Sequence, residues 1–392
     1  MVRIATPDHA APELDIKLNQ NPNAFFFPAS TISGHVIYKN HHGNADYDLR
    51  LRFVGLNRVV VRDGKPKETI CTATLFEYAF SLHTARKGRN HILANSQVDT
   101  APMFFPFKHR FPAATDNRSF SLTSNTSPAF STHVHDLPPS FEAQIDTVHC
   151  SIEYCLCAEL LYDNCSLGSC TLPIMFLPYT KSIQEPRYNS ALFTNPTPFH
   201  AKNGESLRKD SVIGYSNNKA AFGVAIRLPD EITVGIPFAF EIQIQLPFRP
   251  TFDDEVPVVK VPMLRILSMT DCHIINQSTG SDNTSRDRQY HKTGSILLRP
   301  SAPPHEPTLD AVVDTIFYAF QATLSSFYPP TFRSFLISSS FAFETPISVE
   351  VNGVMIDVGV GSSEVNVLSP VAQQTSLRKT SKMARGPSFA TR

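Results

Sequence analysis

Five of the seven cysteines, Cys150, Cys155, Cys157, Cys165 and Cys170, fall between positions 150 and 170. Thiols at that density could hold a soft metal ion or pair as disulfides, so their spacing has to be weighed first. If the segment is a strand, side chains alternate between faces, and His149, Glu153, Cys155 and Cys157 share the face opposite Ile152, Tyr154 and Leu156. A closed tetrahedral thiolate centre uses C-x-x-C pairs, and none is present. Residues two apart on a strand are roughly 6.5–7 Å apart, near the outer limit for a disulfide. The cysteines therefore read as small strand residues of a chain kept in a reducing compartment, with no metal site expected.

Other candidate chemistry is thinner. His133-Val-His135-Asp136 could present two imidazoles on one face, but it lacks further ligands at metallohydrolase spacing and reads as a loop pair. His41-His42 stands beside Gly43-Asn44 as turn chemistry. Gly359-Val-Gly361 has neither the third glycine nor the following lysine of a phosphate cradle. G-x-S-x-G, H-E-x-x-H and acidic Ca²⁺-loop patterns do not occur. With no nucleophile, base and oxyanion donors assembled, the expectation is a non-enzyme without a cofactor. One local charge run remains. Arg378, Lys379, Lys382, Arg385 and Arg392 lie in a stretch with no acidic residue. They form a candidate contact with anionic lipid headgroups, at about 1 kcal/mol per basic residue. Phosphorylation of the neighbouring Ser376, Thr380, Ser381 or Ser388 would weaken it. An ordinary solvated terminus is the competing reading.

The elements that would carry these residues are strands. Apolar residues alternate at Leu14, Ile16, Leu18; at Leu49, Leu51, Phe53; at Phe76, Tyr78, Phe80, Leu82; and at Ile152, Tyr154, Leu156, Ala158, Leu160. The same period returns at Phe222, Val224, Ile226, Leu228 and from Phe238 to Leu246. Strict alternation puts one face on a core and the other towards water, and two such sheets packed face to face form a sandwich. One segment dissents: Val313, Ile316, Phe317, Phe320, Leu324 and Phe327 follow three-and-four spacing after Thr308, with Asp310 and Asp314 in the early turns. A short helix near 309–327 or an irregular apolar connection both satisfy that pattern.

The chain has 392 residues, 42% apolar and 18% charged, enough for more than one core. Lys plus Arg and Asp plus Glu are both 35, so global attraction to nucleic acid is not expected. Proline at 31 and phenylalanine at 29, with no tryptophan, suit β-structure punctuated by loops. No window is apolar enough for a membrane-spanning helix, and the first residues lack the apolar region of a secretory signal. A cytoplasmic location is expected from this and from the cysteine usage. Loops are expected at Thr115–Thr132 and Asn276–Thr293. The division expected is a first sandwich over 1–184, a linker over 185–218, a second sandwich over 219–369 and a disordered basic tail over 370–392.

An internal echo supports two related halves: Leu137-Pro-Pro-Ser-Phe141 and Tyr328-Pro-Pro-Thr-Phe332 each precede strand-like segments. Around the first of these the chain resembles the arrestin-domain (α-arrestin) family. The resemblance rests on Leu14-Asp-Ile-Lys-Leu18, on Phe27-Pro-Ala-Ser-Thr-Ile-Ser-Gly-His-Val36 and on Tyr47 to Gly55 as a strand with a terminal glycine. It continues through Phe104-Phe-Pro-Phe107, Phe111-Pro112, Leu137-Pro-Pro-Ser-Phe141 and Ile152-Glu-Tyr154. From Phe222 to Leu368 the likeness is looser. It implies an all-β fold of two tandem immunoglobulin-like, arrestin-type antiparallel β-sandwiches. It also implies a non-catalytic adaptor that gathers cytoplasmic tails of membrane transporters or receptors for endocytosis or ubiquitin-linked sorting. Ala29-Ser30 stand where the family usually has Gly-Asp, so the turn there is expected to be built differently. No Pro-Pro-x-Tyr motif for a WW-domain ubiquitin ligase occurs. Glu185-Pro-Arg-Tyr188 is the nearest degenerate candidate, through Pro186 and Tyr188. The alternative reading is a structural subunit of a sorting or trafficking complex with no ligase connection.

Overall fold

The computed structural model describes residues 13–21, 24–39, 41–42, 47–62, 68–84, 98–99, 102–116, 130, 133–162, 165–178, 188–193, 223–245, 258–260, 263–274, 288–300, 308–310, 315–351 and 354–369. Every helix or strand among the described residues is a strand. The first half contains β1 (Glu13–Leu18), β2 (Phe25–Phe26), β3 (Thr31–Lys39), β4 (His41–His42), β5 (Asp48–Val61) and β6 (Thr69–Thr84). It continues with β7 (Val98–Asp99), β8 (Met103–Arg110), β9 (Phe141–Ile145), β10 (Val148–Tyr162) and β11 (Cys165–Phe176). They form a three-stranded sheet in the order β1-β3-β8 and a larger one in the order β2-β11-β10-β5-β6, with β9 beside β10; β4 and β7 pair separately. Period-2 patterning explains the packing. Ile16, Ile32, Val36 and Phe107 from the smaller sheet meet Leu51, Phe53, Tyr154 and Leu156 from the larger one in a single buried cluster.

The second half contains β12 (Tyr188–Phe193), β13 (Gly223–Pro229), β14 (Glu231–Thr233), β15 (Pro237–Gln245), β16 (Val258–Lys260) and β17 (Leu264–Ile274). After these come β18 (Arg288–Leu298), β19 (Thr308–Asp310), β20 (Thr315–Thr323), β21 (Phe332–Arg333), β22 (Ile337–Val351) and β23 (Val354–Leu368). One sheet runs β12-β13-β15-β20-β19, and the other β14-β23-β22-β17-β18, with β16 and β21 on β22. Ile226, Phe240 and Phe320 close a second core against Ile266, Phe341 and Val367. The chain is thus two tandem β-sandwiches.

The halves are wired alike. β1-β3-β8 corresponds to β13-β15-β20, β2-β11-β10-β5-β6 to β14-β23-β22-β17-β18, and β9 on β10 to β21 on β22. In each half the first strand of the larger sheet lies parallel to the last, β2 to β11 and β14 to β23. The likeness extends to single bonds. Ser30 N–H donates to Phe27 O at 3.0 Å, and Ile236 N–H to Thr233 O at 3.2 Å, in turns entering β3 and β15. Inside those turns Ala29 has φ 61° and Gly235 φ 74°. Their N–H groups donate to Phe111 O and Leu324 O, the residues immediately after β8 and β20.

Several sequence expectations are corrected. The left-handed turn is kept despite Ala29: the alanine itself takes the positive φ, stabilised by the bonds just named. Gly55 does not end its strand. β5 runs on to Val61 through a register shift at Gly55/Leu56, and the missing Cβ makes room for Phe76 and Tyr154, whose ring carbons would lie 2.8 and 3.0 Å from it. No helix forms within the described part of 309–327. β20 alternates, with Ile316, Tyr318, Phe320 and Ala322 buried on one side, and the three-and-four spacing came from adding Phe317 and Phe327 of the other side and of the following turn. Part of the expected linker is strand β12, pairing with β13, and part of the expected polar loop Asn276–Thr293 is β18, pairing with β17. The basic tail, with Arg378, Lys379, Lys382 and Arg385, lies outside the described residues.

Candidate functional site: the junction of the halves and a sheet edge

The two Pro-Pro segments occupy equivalent positions and do equivalent work. Leu137, Pro138 and Pro139 are buried, and the Tyr154 hydroxyl donates to Pro138 O at 2.6 Å. Full burial pushes that phenol well above its ordinary range, so it acts as a fixed donor. Ser140 N–H donates to Phe176 O at 2.9 Å while Phe176 N–H donates to Ser140 Oγ at 2.9 Å. In the second half Thr331 N–H donates to Val367 O at 2.7 Å and Val367 N–H to Thr331 Oγ1 at 2.8 Å. A hydroxyl residue after Pro-Pro is what this reciprocal pair of bonds requires, because proline has no N–H to give.

The phenylalanines that close the two motifs meet. Phe141 and Phe332 lie edge to face with centroids 5.1 Å apart. Around them the junction is built like a core. Cys272, Ile274, Phe332, Phe335, Leu336 and Ile337 of the second half belong to the buried cluster of the first. Inside it Asn57, fully buried in β5, donates from Nδ2 to Ser334 Oγ at 3.0 Å. At the rim Lys292 Nζ donates to Gln144 O at 2.8 Å.

The junction opens into a cleft of about 510 Å³, lined from one half by His135 and Pro139 and from the other by Pro330, Phe332 and Arg333. His135 Nδ1 lies 2.9 Å from His133 O, which fixes that nitrogen as the donor, and its Nε2 is buried with no hydrogen-bond partner among the described residues. Burial lowers the His135 pKa from its usual value, so the ring is held neutral against Phe335, 4.8 Å away edge-on.

A second feature lies along β6. This strand ends its sheet, with no strand paired on its outer side among the described residues. Edges are normally defended by shortness, proline or charge. β1 carries Glu13, Asp15 and Lys17, β8 carries Pro106, Lys108 and Arg110, β18 carries Arg288 and Lys292, and β2, β14 and β19 are two or three residues long. β6 is sixteen residues with one formal charge, Glu77, and no proline. The smaller sheet does not cover its whole inner face. Phe76 is buried, but Tyr78 is 38% exposed, and its ring lies 5.6 Å from Phe76 and 6.4 Å from Phe80. Phe80 in turn stacks on His109 of β8. The result is an aromatic ledge beside a strand edge that has no strand partner among the described residues, with the Leu75 carbonyl accepting from Asp116 N–H at 2.6 Å.

The residues singled out from sequence fare unevenly. Cys155 and Cys157 do share the outer face of β10, with Sγ atoms 3.7 Å apart, and Thr171 Oγ1 lies 3.6 Å from Cys157 Sγ. Cys150 and Cys272, by contrast, are buried in the junction, and Cys165 is exposed. No three His, Cys, Asp or Glu side chains among the described residues gather as a metal group. Tyr188 begins β12 opposite Pro229, so its backbone is in a ladder rather than in the extended free form a WW groove takes, and Pro186 lies outside the described residues. Sequence reasoning found the Pro-Pro echo but missed that its two copies touch. It also missed the β6 edge, which a scan for long uncharged strands would have flagged.

No protein-family model matches the chain, and no curated protein matches it. No described helix is long and apolar enough to cross a membrane.

Proposed function

We propose that the protein is a non-catalytic, arrestin-like adaptor whose client is an extended cytoplasmic tail of a membrane transporter or receptor. The observation that carries this reading is β6: a long, nearly uncharged edge strand with an aromatic ledge at its side. An added peptide strand would gain main-chain hydrogen bonds from the edge, and its alternate side chains would pack on Tyr78 and Phe80. The duplicated sandwich, locked through a buried junction, supplies a rigid body on which a captured tail and a second partner are held at fixed separation. A sorting-complex subunit without a ligase connection is the second reading, favoured by the missing Pro-Pro-x-Tyr motif.

The test is binding of a panel of synthetic cytoplasmic-tail peptides to the full chain, read by fluorescence anisotropy and by hydrogen exchange. Saturable binding with new protection along Thr69–Thr84, weakened at least tenfold in Ile70→Lys/Tyr78→Lys of unchanged melting temperature, is expected. Ile70 is 51% exposed, so both substitutions tolerate a charge in the free chain. Peptide binding that ignores both substitutions, or protection confined elsewhere, would refute the edge. Purification from cells separates the two readings: a WW-domain ligase among the partners supports the first, and a stable stoichiometric complex the second.

A further inference from the structure

Cys155 and Cys157 are adjacent same-face residues on β10, which is hydrogen-bonded to β5 on one side and β11 on the other. Their rows are fixed: Cys155 is flanked by Val54 and Pro173, Cys157 by Arg52 and Thr171. The two sulfurs are 3.7 Å apart. The strand spacing disfavours one chemistry, and the sulfur separation fits another. A disulfide needs sulfurs about 2.05 Å apart and Cβ atoms about 3.5–4.5 Å apart, whereas alternate Cβ atoms of an extended strand stand parallel at about 6.5–7 Å. Two thiolates on one tetrahedral ion are different: metal–sulfur bonds of about 2.3 Å at the tetrahedral angle place the sulfurs about 3.8 Å apart.

We propose that Cys155 and Cys157 form a preorganised two-thiolate grip for a thiophilic d¹⁰ cation such as Zn²⁺, leaving two coordination positions open for water or an incoming ligand. The surroundings agree with the geometry. The two sulfurs are within hydrogen-bond reach of each other, and the Thr171 hydroxyl donates to Cys157 Sγ at 3.6 Å. The charged groups facing the pair are Arg52, Glu77 and Glu153. Arg52 Nε is held by Glu77 Oε1 at 2.9 Å, which offsets its repulsion of a cation, and Glu153 adds negative potential on the same strand face. Metal entry releases the thiol protons to solvent, and both thiolates then ligate. Soft thiolates select such ions over Mg²⁺ and Ca²⁺. The proposal stands apart from the adaptor reading, since both ligands lie on β10 and it needs neither the main-chain edge of β6 nor the junction.

The experiment titrates the reduced, metal-free full chain with Cd²⁺, a spectroscopic probe of the same coordination preference. It is followed by the ultraviolet thiolate-to-metal band and by ¹¹³Cd NMR, with Zn²⁺ as competitor and Mg²⁺ as control. One Cd²⁺ per chain in a two-sulfur environment is expected, displaced by Zn²⁺ and not by Mg²⁺. Affinity should fall at least tenfold in Cys155→Ser and in Cys157→Ser and be retained in Cys165→Ser, the exposed cysteine of the neighbouring strand. Melting curves of the variants without metal report folding, and the wild-type NMR spectrum reads the sulfur count without any substitution. A Cd²⁺ signal with no sulfur ligand, a band that survives in Cys157→Ser, or a chain isolated with a Cys155–Cys157 disulfide would each overturn the proposal.

Discussion

Replacing Ser334 with alanine removes one oxygen from the junction and leaves a buried amide without its acceptor. Asn57 has 0% exposure, its Nδ2 donates to Ser334 Oγ at 3.0 Å, and its Oδ1 is buried with no hydrogen-bond partner among the described residues. A buried donor deprived of its partner costs about 1–3 kcal/mol. At about 1.4 kcal/mol per decade that is roughly a 5- to 140-fold shift in the unfolding constant. Because the bond joins β5 to the loop before β22, the loss should appear as weaker coupling of the halves, not only as a lower midpoint. The assay is urea unfolding followed by far-UV circular dichroism and by tyrosine fluorescence, the usable intrinsic emitter in a chain without tryptophan. The two readouts are expected to give coincident transitions in the wild type, and Ser334→Ala should move the midpoint down and separate them. The double variant Asn57→Leu/Ser334→Ala removes both polar groups, so it should recover most of the loss, since an apolar pair of similar shape is nearly neutral. If Ser334→Ala leaves the curve unchanged, or the double variant is worse than the sum of the single ones, the buried bond is not what couples the halves.

Other outcomes follow from named geometry. Gly55→Ala places a Cβ 2.8 Å from Phe76 Cε1 and 3.0 Å from Tyr154 Cε1, both rings fully buried, and should cost about 1–3 kcal/mol by overpacking, measured by denaturant unfolding. The paired turns should answer oppositely to exchange. Gly235→Ala should cost about 1–2 kcal/mol, because φ is positive there although the added Cβ would meet Ser326 Cβ at an ordinary 3.5 Å, whereas Ala29→Gly should be neutral or stabilising by up to about 1 kcal/mol in the same assay. Acid should destabilise the chain through His135. Its folded pKa lies below the ordinary 6.5, so the unfolded chain takes up the proton first, and stability is lost as pH falls through 6.5 towards the folded value. His135→Gln should flatten the slope of midpoint against pH in that window.

The sequence carried the strands well wherever one face meets a core and the other meets water. β1, β5, β10, β13 and β15 lie where alternation places them, because that pattern is the direct imprint of a half-buried sheet. It failed where burial is two-sided or incomplete. β20 sets Phe317 opposite the buried Ile316 and Phe320, which mimics a helical stripe. β12 and the start of β18 are polar enough to read as loop. The turn at Ala29 was misjudged because residue preference is only a prior; the two bonds that close that turn come from Phe27 and Phe111, the second distant in sequence. The thiol pair was visible as a shared face, yet its sulfur separation depends on rotamers that spacing does not encode. The junction was least legible. Asn57 and Ser334 are 277 positions apart, and nothing local marks either as an interior residue.

The shared wiring of the halves has a cost in biosynthesis. A strand made late finds, already formed, a sheet that accepts its own counterpart: β23 could seek the place of β11, and β14 that of β2. Tandem copies of one topology are prone to such exchange, and more so the more alike they are. Here the defence is divergence of detail. Phe176 and Val367 take the same pair of bonds but fill their sites with side chains of different size, and Ser140 and Thr331 differ by a methyl group. The first half, emerging first from the ribosome, can therefore close on its own strands before its double competes for them.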